Sequence, residues 1–323
     1  MLQRGYQMDF TNQNFGVIIY GQPGIGKTTV ALSDGNGGAD TLLIDLERGV
    51  GRTKVVHRMN AMVLTADTYE EVLQNLDTPE AAKAKTIVID TCGALVDYLK
   101  DWALRTKADA KTKTGAWNAM RGFGYVKAEI ESFTNRIKNV MHKNVIYIFH
   151  CDEKVDKDGN PQQRLRCEGS FRNTVWTGID FGGYMQMLGN QRVICFTPEQ
   201  EFFAKGSHGI EGQIPLPTLT AGVPNNFMVS LFARARANMQ AEQDEMIPQI
   251  KQYEETMEAV RATIAAITTP EGATMAAQTI PQMDHALTSK IEASAMLRDK
   301  AKAMGFKWQD GQYVQGAQAG DAQ

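Results

Sequence analysis

Over the first half of the chain, short runs of continuous apolar, β-branched residues alternate with stretches patterned at helical spacing. The runs are GVIIY (16–20), TLLID (41–45), TIVID (86–90) and NVIYIF (144–149). Among them, YEEVLQNL (69–76), GALVDYLKDWAL (93–104) and VKAEIESFTNRIKNVM (126–141) repeat apolar positions every three to four residues. A strand that is apolar throughout needs cover on both faces, and a parallel sheet flanked by helices provides it. Past Cys151 the pattern changes. A polar loop, DEKVDKDGNPQQ, leads to shorter candidates GYMQML (183–188), RVICF (192–196) and EFFAK (201–205). These predict an antiparallel extension on a mostly parallel core.

From Asn238 strand signals stop, and Met, Gln, Glu and Ala dominate. The pattern predicts a helix over 241–267, interrupted or restarted at Pro248, a linker over 268–282 and a second helix around 285–304. GFKWQDGQYVQ then reads as a small hairpin turning at Asp310–Gly311. The last residues, 316–323, are expected to be disordered. The expected organisation is an α/β core over 1–237 with a helical C-terminal appendage over 238–323.

Composition narrows the function only slightly. The chain has 323 residues, 43% hydrophobic and 22% charged, with a net charge of −3. That is ordinary globular composition without a global basic field, so a nucleic-acid partner would require a local patch. Cys92, Cys151, Cys167 and Cys195 form no CxxC pair, which fits reduced thiols in a cytoplasmic protein. No apolar stretch approaches the roughly 20 residues that cross a bilayer, so no membrane partner is expected.

The chemistry is concentrated in GQPGIGKTT, which matches G-x-x-x-x-G-K-[ST] in full. Gly21, Gln22, Pro23, Gly24, Ile25, Gly26, Lys27, Thr28 and Thr29 form the expected phosphate loop, following an apolar strand and opening a helix. Its glycines let backbone N–H groups turn inward as an anion nest. Lys27 would reach the β and γ oxygens, and the Thr28 hydroxyl would complete a Mg²⁺ shell. Asp90, ending TIVID, either holds Mg²⁺ through water or caps the next helix. LLIDLERG (42–49) places Asp45 and Glu47 just past a strand. Thr91 follows Asp90 and cannot act as a base, so Glu47 is the candidate to polarise an attacking water; the alternative is a surface acid paired with Arg48. His150 ends the fourth strand, where a lone histidine is often a satisfied surface residue.

Taken in order, YGQPGIGKTT, LLIDLERG, VLTADTYEEVLQNL, TIVIDTCGALVDYL, VIYIFH and IDFGGYMQM resemble the phage-encoded RecA-like ATP-binding proteins, over roughly residues 10–235. The resemblance implies a RecA-type P-loop NTPase core, ATP and Mg²⁺, and protomers assembled as a ring or filament around single-stranded DNA. At the place of His150 it implies a γ-phosphate sensor. It also implies a phage or prophage origin, an association with annealing and recombination, and a single-strand-binding protein as a candidate further partner. Ring-forming relatives carry a Lys-x-Arg pair on a late strand that acts in the neighbour's site. Here FFAKGSHG keeps Lys205 but has Ser207 in place of the Arg. By the same resemblance, the segments after the third and fourth strands face the DNA. The first offers Lys107, Lys111, Lys113 and Arg121 with Trp117 among them, cations for phosphates and a ring for stacking. The second offers Arg164, Arg166 and Arg172. The first could instead be a solvated basic loop followed by a buried amphipathic helix, and the second could be local salt pairing. The expected function is ATP-dependent single-strand binding in annealing or recombination. A helicase-like ring motor, a small-molecule kinase and a nucleotide-gated scaffold remain as rivals.

Overall fold

The computed structural model describes residues 8–155, 157–168, 171–218 and 223–316; residues 317–323 of the tail expected to be disordered lie outside them. The chain begins with β1 (Gly16–Gly21), α1 (Lys27–Ala31), β2 (Thr41–Asp45), β3 (Met62–Leu64), α2 (Tyr69–Leu76) and α3 (Pro79–Lys83). It continues through β4 (Thr86–Asp90), α4 (Cys92–Thr106), α5 (Ala119–Asn135), β5 (Asn144–Val155), β6 (Pro161–Leu165) and α6 (Phe171–Thr174). Then come β7 (Phe181–Leu188), β8 (Gln191–Cys195), β9 (Gln213–Pro215), α7 (Phe227–Ala265), α8 (Pro270–Thr279) and α9 (Ser289–Ala303). A terminal pair, β10 (Phe306–Gln309) and β11 (Gln312–Gln315), closes the described chain.

One sheet runs β3-β2-β4-β5-β1-β7-β8-β9, with β6 attached to β5. Strands β3 to β7 along this path are parallel, while β8, β9 and β6 pair antiparallel. This is an α/β core whose sheet is mostly parallel and flanked by helices. The central strands are buried on both faces: Val17, Ile18, Ile19 and Tyr20 are at most 1% exposed, as are Ile87, Val88 and Ile89. Each needed a helical layer on either side, hence their unbroken apolar runs.

Register decides where function can sit. Asp45 pairs with Asp90 across β2 and β4, and Gly21 pairs with His150 across β1 and β5. The parallel strands therefore end along one edge, where ligand crevices of open α/β sheets form. Strand β5, carrying His150, lies between the phosphate-loop strand and the strand ending in Asp90.

Several elements differ from their expected form. The polar segment after Cys151 pairs as a β5–β6 hairpin, Cys151 to Val155 against Pro161 to Leu165; its polar sequence hid a strand whose positions are exposed or half-buried up to the buried Leu165. EFFAK forms no strand, only bridges at Phe202 and Lys205. Helix α5 starts earlier than its apolar period, capped by Asn118. Gly122 is tolerated there because a Cβ would lie 2.3 Å from the Trp117 ring, so only glycine fits.

Contacts divide the chain into Phe10–Asn238 and a second unit of residues 239–316 with Met8 and Asp9. Helix α7 runs without a break through Pro248, which ends or restarts nothing; proline inside a helix costs one backbone bond. The stretch read as a linker is α8, with the Thr269 hydroxyl accepting from Gly272 N and Pro270 in the first turn. This second unit has its own core, including Val260, Ala273, Ala276, Ile280, Ala293 and Leu297. The terminal hairpin turns at Asp310 (φ 50) and Gly311 (φ 84), the paired positive φ values of a type I′ turn.

Candidate active site

The loop from Gly21 to Gly26 leaves β1 with positive φ at Gly24 (79) and Gly26 (99), conformations that L side chains resist. Lys27 then folds back over it. The buried ammonium donates to the carbonyls of Gly21 and Gln22, both at 2.9 Å, and lies 3.4 Å from His150 Nδ1. Burial pulls the Lys27 pKa down, with Asp90 and Glu47 opposing. Lysine can only donate, so the His150 nitrogen facing it accepts and the hydrogen sits on Nε2.

Thr28 Oγ1 donates to Asp90 Oδ2 at 2.6 Å. Burial raises the Asp90 pKa; the Thr28 bond opposes this, while the negative charges of Asp45 and Glu47 add to it. That carboxylate row suits a cation. Among the described residues no cluster of three or more His, Cys, Asp or Glu forms a metal cage. One hydroxyl and one carboxylate, completed by phosphate oxygens and water, nevertheless suit Mg²⁺, which keeps several of its waters. The two residues fit the ion.

Asp45 serves the backbone: its carboxylate accepts from Gly49 N at 2.9 Å and Val50 N at 2.8 Å. That fixes the turn from which Glu47 projects. Glu47 Oε1 accepts from Thr91 Oγ1 at 2.6 Å, and Oε2 faces His150 Nε2 at 3.3 Å. Burial pushes the Glu47 pKa up, but the Thr91 and His150 hydrogen bonds and the nearby Arg52 outweigh it and hold the carboxylate below its ordinary range. Arg48 is not its partner, since that guanidinium pairs with Asp67 at 2.8 Å. Thr91 also caps α4, accepting from Ala94 N at 3.4 Å.

Phosphate loop, Asp90, Glu47 and His150 line one cleft of about 570 Å³. Its other wall comes from residues that sequence reasoning passed over: Arg52, Lys54, Asn190, Gln191 and Arg192. Nothing in the local pattern marks them, because the fold of β8 against β7 brings Arg192 there. A second cavity of about 720 Å³ shares Glu47 and His150 and adds Asp97, Asp152, Arg166 and Arg172. Lys205 is absent from the cleft. Its backbone pairs with Gly182, and its ammonium donates to the Ile179 carbonyl, toward the start of β1 rather than the loop.

The candidate DNA residues divide. Lys111 and Lys113 are exposed, with no ion-pair partner for either among the described residues. Lys107 lies over the rings of Trp102 (4.9 Å) and Tyr125 (5.6 Å), and Arg121 pairs with Asp109 at 3.6 Å. Trp117 is half-buried, edge-on to Phe123 and packed over Gly122. Its ring is engaged in packing against Phe123 and Gly122, so this geometry does not carry the expected stacking platform. Arg164 binds Gln162, and Arg166 pairs with Asp152 at 3.4 Å. Arg172 clamps the carbonyls of Leu165 and Cys167 at 3.1 and 3.0 Å. It works as a structural clasp, half-buried, rather than an offered cation.

The sequence profile of a family described as AAA domain matches residues 13–208, which takes in the phosphate loop, Glu47, Asp90 and His150. The chain belongs to the AAA domain family. No curated protein matches this AAA domain chain. Among solved structures, a KaiC-like protein from Pyrococcus horikoshii OT3 is similar at 14% identity and TM-score 0.36, covering 64% of this chain and 90% of that one. The RadB recombinase is similar at 13% identity and TM-score 0.37, covering 63% and 87%. Among the described residues, no helix of the AAA domain chain is long and apolar enough to cross a membrane.

Proposed function

We propose that this AAA domain protein hydrolyses ATP and couples turnover to binding single-stranded DNA, in annealing or strand pairing during phage recombination. One observation carries the hydrolysis: an ionised Glu47, fixed by Thr91 and His150, lines the same cleft as the Thr28–Asp90 pair. ATP phosphates enter the Gly21–Thr29 loop, and Lys27 exchanges the Gly21 and Gln22 carbonyls for phosphate oxygens. Thr28 and Asp90 would hold Mg²⁺, which when bound neutralises phosphate charge. Glu47 orients a water toward the γ-phosphate and accepts its proton, while His150 donates from Nε2. Positioning and charge neutralisation supply most of the rate.

The DNA part is supported by Lys111 and Lys113, exposed on the stretch between α4 and α5. Helix α4 begins at the Thr91 cap that holds Glu47, so a pull on this basic stretch is transmitted toward the base. Protomers would assemble along the strand, and Lys205, lying away from its own nucleotide, would serve a neighbour's. The unit of residues 239–316 would govern that assembly. A chain ending at Asn238 should then bind ATP but change its mass in light scattering; unchanged mass removes the assembly role.

The deciding experiment is ATP turnover of the purified protein with and without a thymidine oligonucleotide at low salt. Stimulation that Lys27→Ala abolishes supports the reading. Turnover indifferent to the oligonucleotide removes the DNA part. A second reading, phosphoryl transfer to an acceptor, is favoured by the 720 Å³ cavity sharing Glu47 and His150; labelled phosphate found on a product other than inorganic phosphate would select it.

A further inference from the structure

Hydrolysis of ATP needs positive charge at two ends. In the loose transition state of phosphoryl transfer, charge builds on the departing β-phosphate as well as around the γ-phosphoryl group. Glu47, His150 and Arg52 gather at the water end, Arg52 being close enough to act on the Glu47 carboxylate. Lys27 and the loop amides hold the phosphates. The leaving-group end is where this chain has an unused cation.

That cation is Arg192. A Cβ built on Gly26 would lie 3.6 Å from a nitrogen of the Arg192 guanidinium, which therefore stands against the phosphate loop itself. The side chain is exposed into the cleft, with no hydrogen-bond or ion-pair partner among the described residues. Its backbone, by contrast, is well held. Arg192 pairs with Met187 across β7 and β8, and its carbonyl accepts from Leu216 N at 2.9 Å. Strand β7 pairs directly with β1, whose last residue opens the loop. A rigid three-strand path thus fixes an unpaired guanidinium beside Gly26, while its charged end stays free. Arginine is suited to this task, since its planar fork matches phosphate oxygens in pairs and stays charged at any working pH.

We propose that Arg192 is a catalytic residue that stabilises the departing ADP phosphates within its own chain. The assignment rests on the hydrolysis reading above. It supplies from the same protomer a charge that Ser207, standing where ring-forming relatives have a trans-acting arginine, cannot supply. Lys205, tied to the Ile179 carbonyl, supplies no such charge to the site of its own chain.

The test separates binding from chemistry. Arg192→Ala should lower kcat for ATP about 100-fold or more, while the Kd for a fluorescent ATP analogue changes less than tenfold and the melting temperature stays put. Arg192→Lys, which keeps the charge without the fork, should fall between. Mixing Arg192→Ala with Lys27→Ala protein should restore no turnover, because each active site needs both residues from one chain. A kcat within threefold of wild type overturns the assignment, as does a rise in KM alone. Turnover restored on mixing means the arginine serves a neighbour, which overturns the same-chain claim. A wild-type protein with no turnover overturns the hydrolysis reading and this assignment together.

Discussion

Replacing Glu47 by glutamine tests the base with little disturbance to the fold. The carboxylate now accepts from two donors, Thr91 Oγ1 at 2.6 Å and His150 Nε2 at 3.3 Å. A glutamine has one oxygen and can satisfy only one of them; its amide nitrogen would face the other donor. The lost bond is to an ionised group, worth roughly 1.5–3 kcal/mol in general, and less here because the Glu47 side chain is 35% exposed. Stability should therefore fall by about 1–2 kcal/mol at most. The chemical cost is of another size. Removing a positioned general base costs about 10²–10⁴ in rate, or about 2.7–5.4 kcal/mol of barrier at 1.36 kcal/mol per tenfold. Glu47→Gln should thus keep ATP affinity within a few-fold, as the Lys27 and Thr28–Asp90 contacts are untouched, while kcat drops at least a hundredfold. Single-turnover hydrolysis alongside titration with a fluorescent analogue measures both. If kcat stays within threefold while Asp90→Asn abolishes turnover, the water is activated elsewhere and the role given to the Glu47–Thr91–His150 arrangement is wrong.

The Asp90 carboxyl is raised above its ordinary value of 3.8 by burial. Its stabilising effect on the nucleotide-free fold is therefore present below that value and lost as pH rises through the folded-state pKa, so the ionised group is a burden at pH 7. Asp90→Asn should raise Tm without nucleotide in scanning fluorimetry yet shrink the further rise on adding ATP and Mg²⁺; a lower Tm refutes the argument. Glu47 has the opposite sign. Its folded pKa lies below the ordinary 4.5, so kcat should show no acid limb from this group between pH 7 and about 5.5; a midpoint near 6 would identify another base. Lys111→Ala with Lys113→Ala should weaken single-strand binding for every sequence alike and reduce the log–log salt slope by about 1.4, or 0.7 per lost contact. An unchanged slope would remove these lysines from the DNA path. Trp117→Ala should behave as a packing variant, costing about 2 kcal/mol for a half-buried ring and about 4–8 °C in Tm. DNA affinity measured well below Tm should hold; its loss with Tm unchanged would restore the stacking role.

Much of this protein was written in local sequence. Four apolar runs set the central strands, because a strand buried on both faces can carry almost nothing polar. The phosphate loop was fixed by glycines that tolerate positive φ and by the Lys27–Thr28 pair that must follow them. Asp310–Gly311 specified its hairpin turn on the same backbone grounds. The choice of Glu47 over Thr91 as candidate base followed from side-chain chemistry alone. Polar strands were harder to see: β6 has solvated positions where a buried strand has apolar ones, and α8 reads as a linker because Thr269 and Pro270 look like loop residues until their capping role is known.

Tertiary structure decided the partnerships. Only the register of β2 on β4 and β1 on β5 brings Asp45, Asp90, His150 and Gly21 to one edge. Only that edge shows that Asp45 holds a turn, that Thr91 grips Glu47, and that Arg48 is engaged by Asp67. The same holds for charge. Lys111, Arg166 and Arg172 look alike in sequence, yet the first has no ion-pair partner among the described residues, the second is paired with Asp152 and the third clasps two carbonyls. Arg192 lies more than 160 residues from the loop it faces, and no spacing rule connects them. A motif is a property of neighbouring residues, and sequence shows it. Which side chain is left unpaired beside a phosphate depends on contacts between distant strands, and only the folded chain makes them.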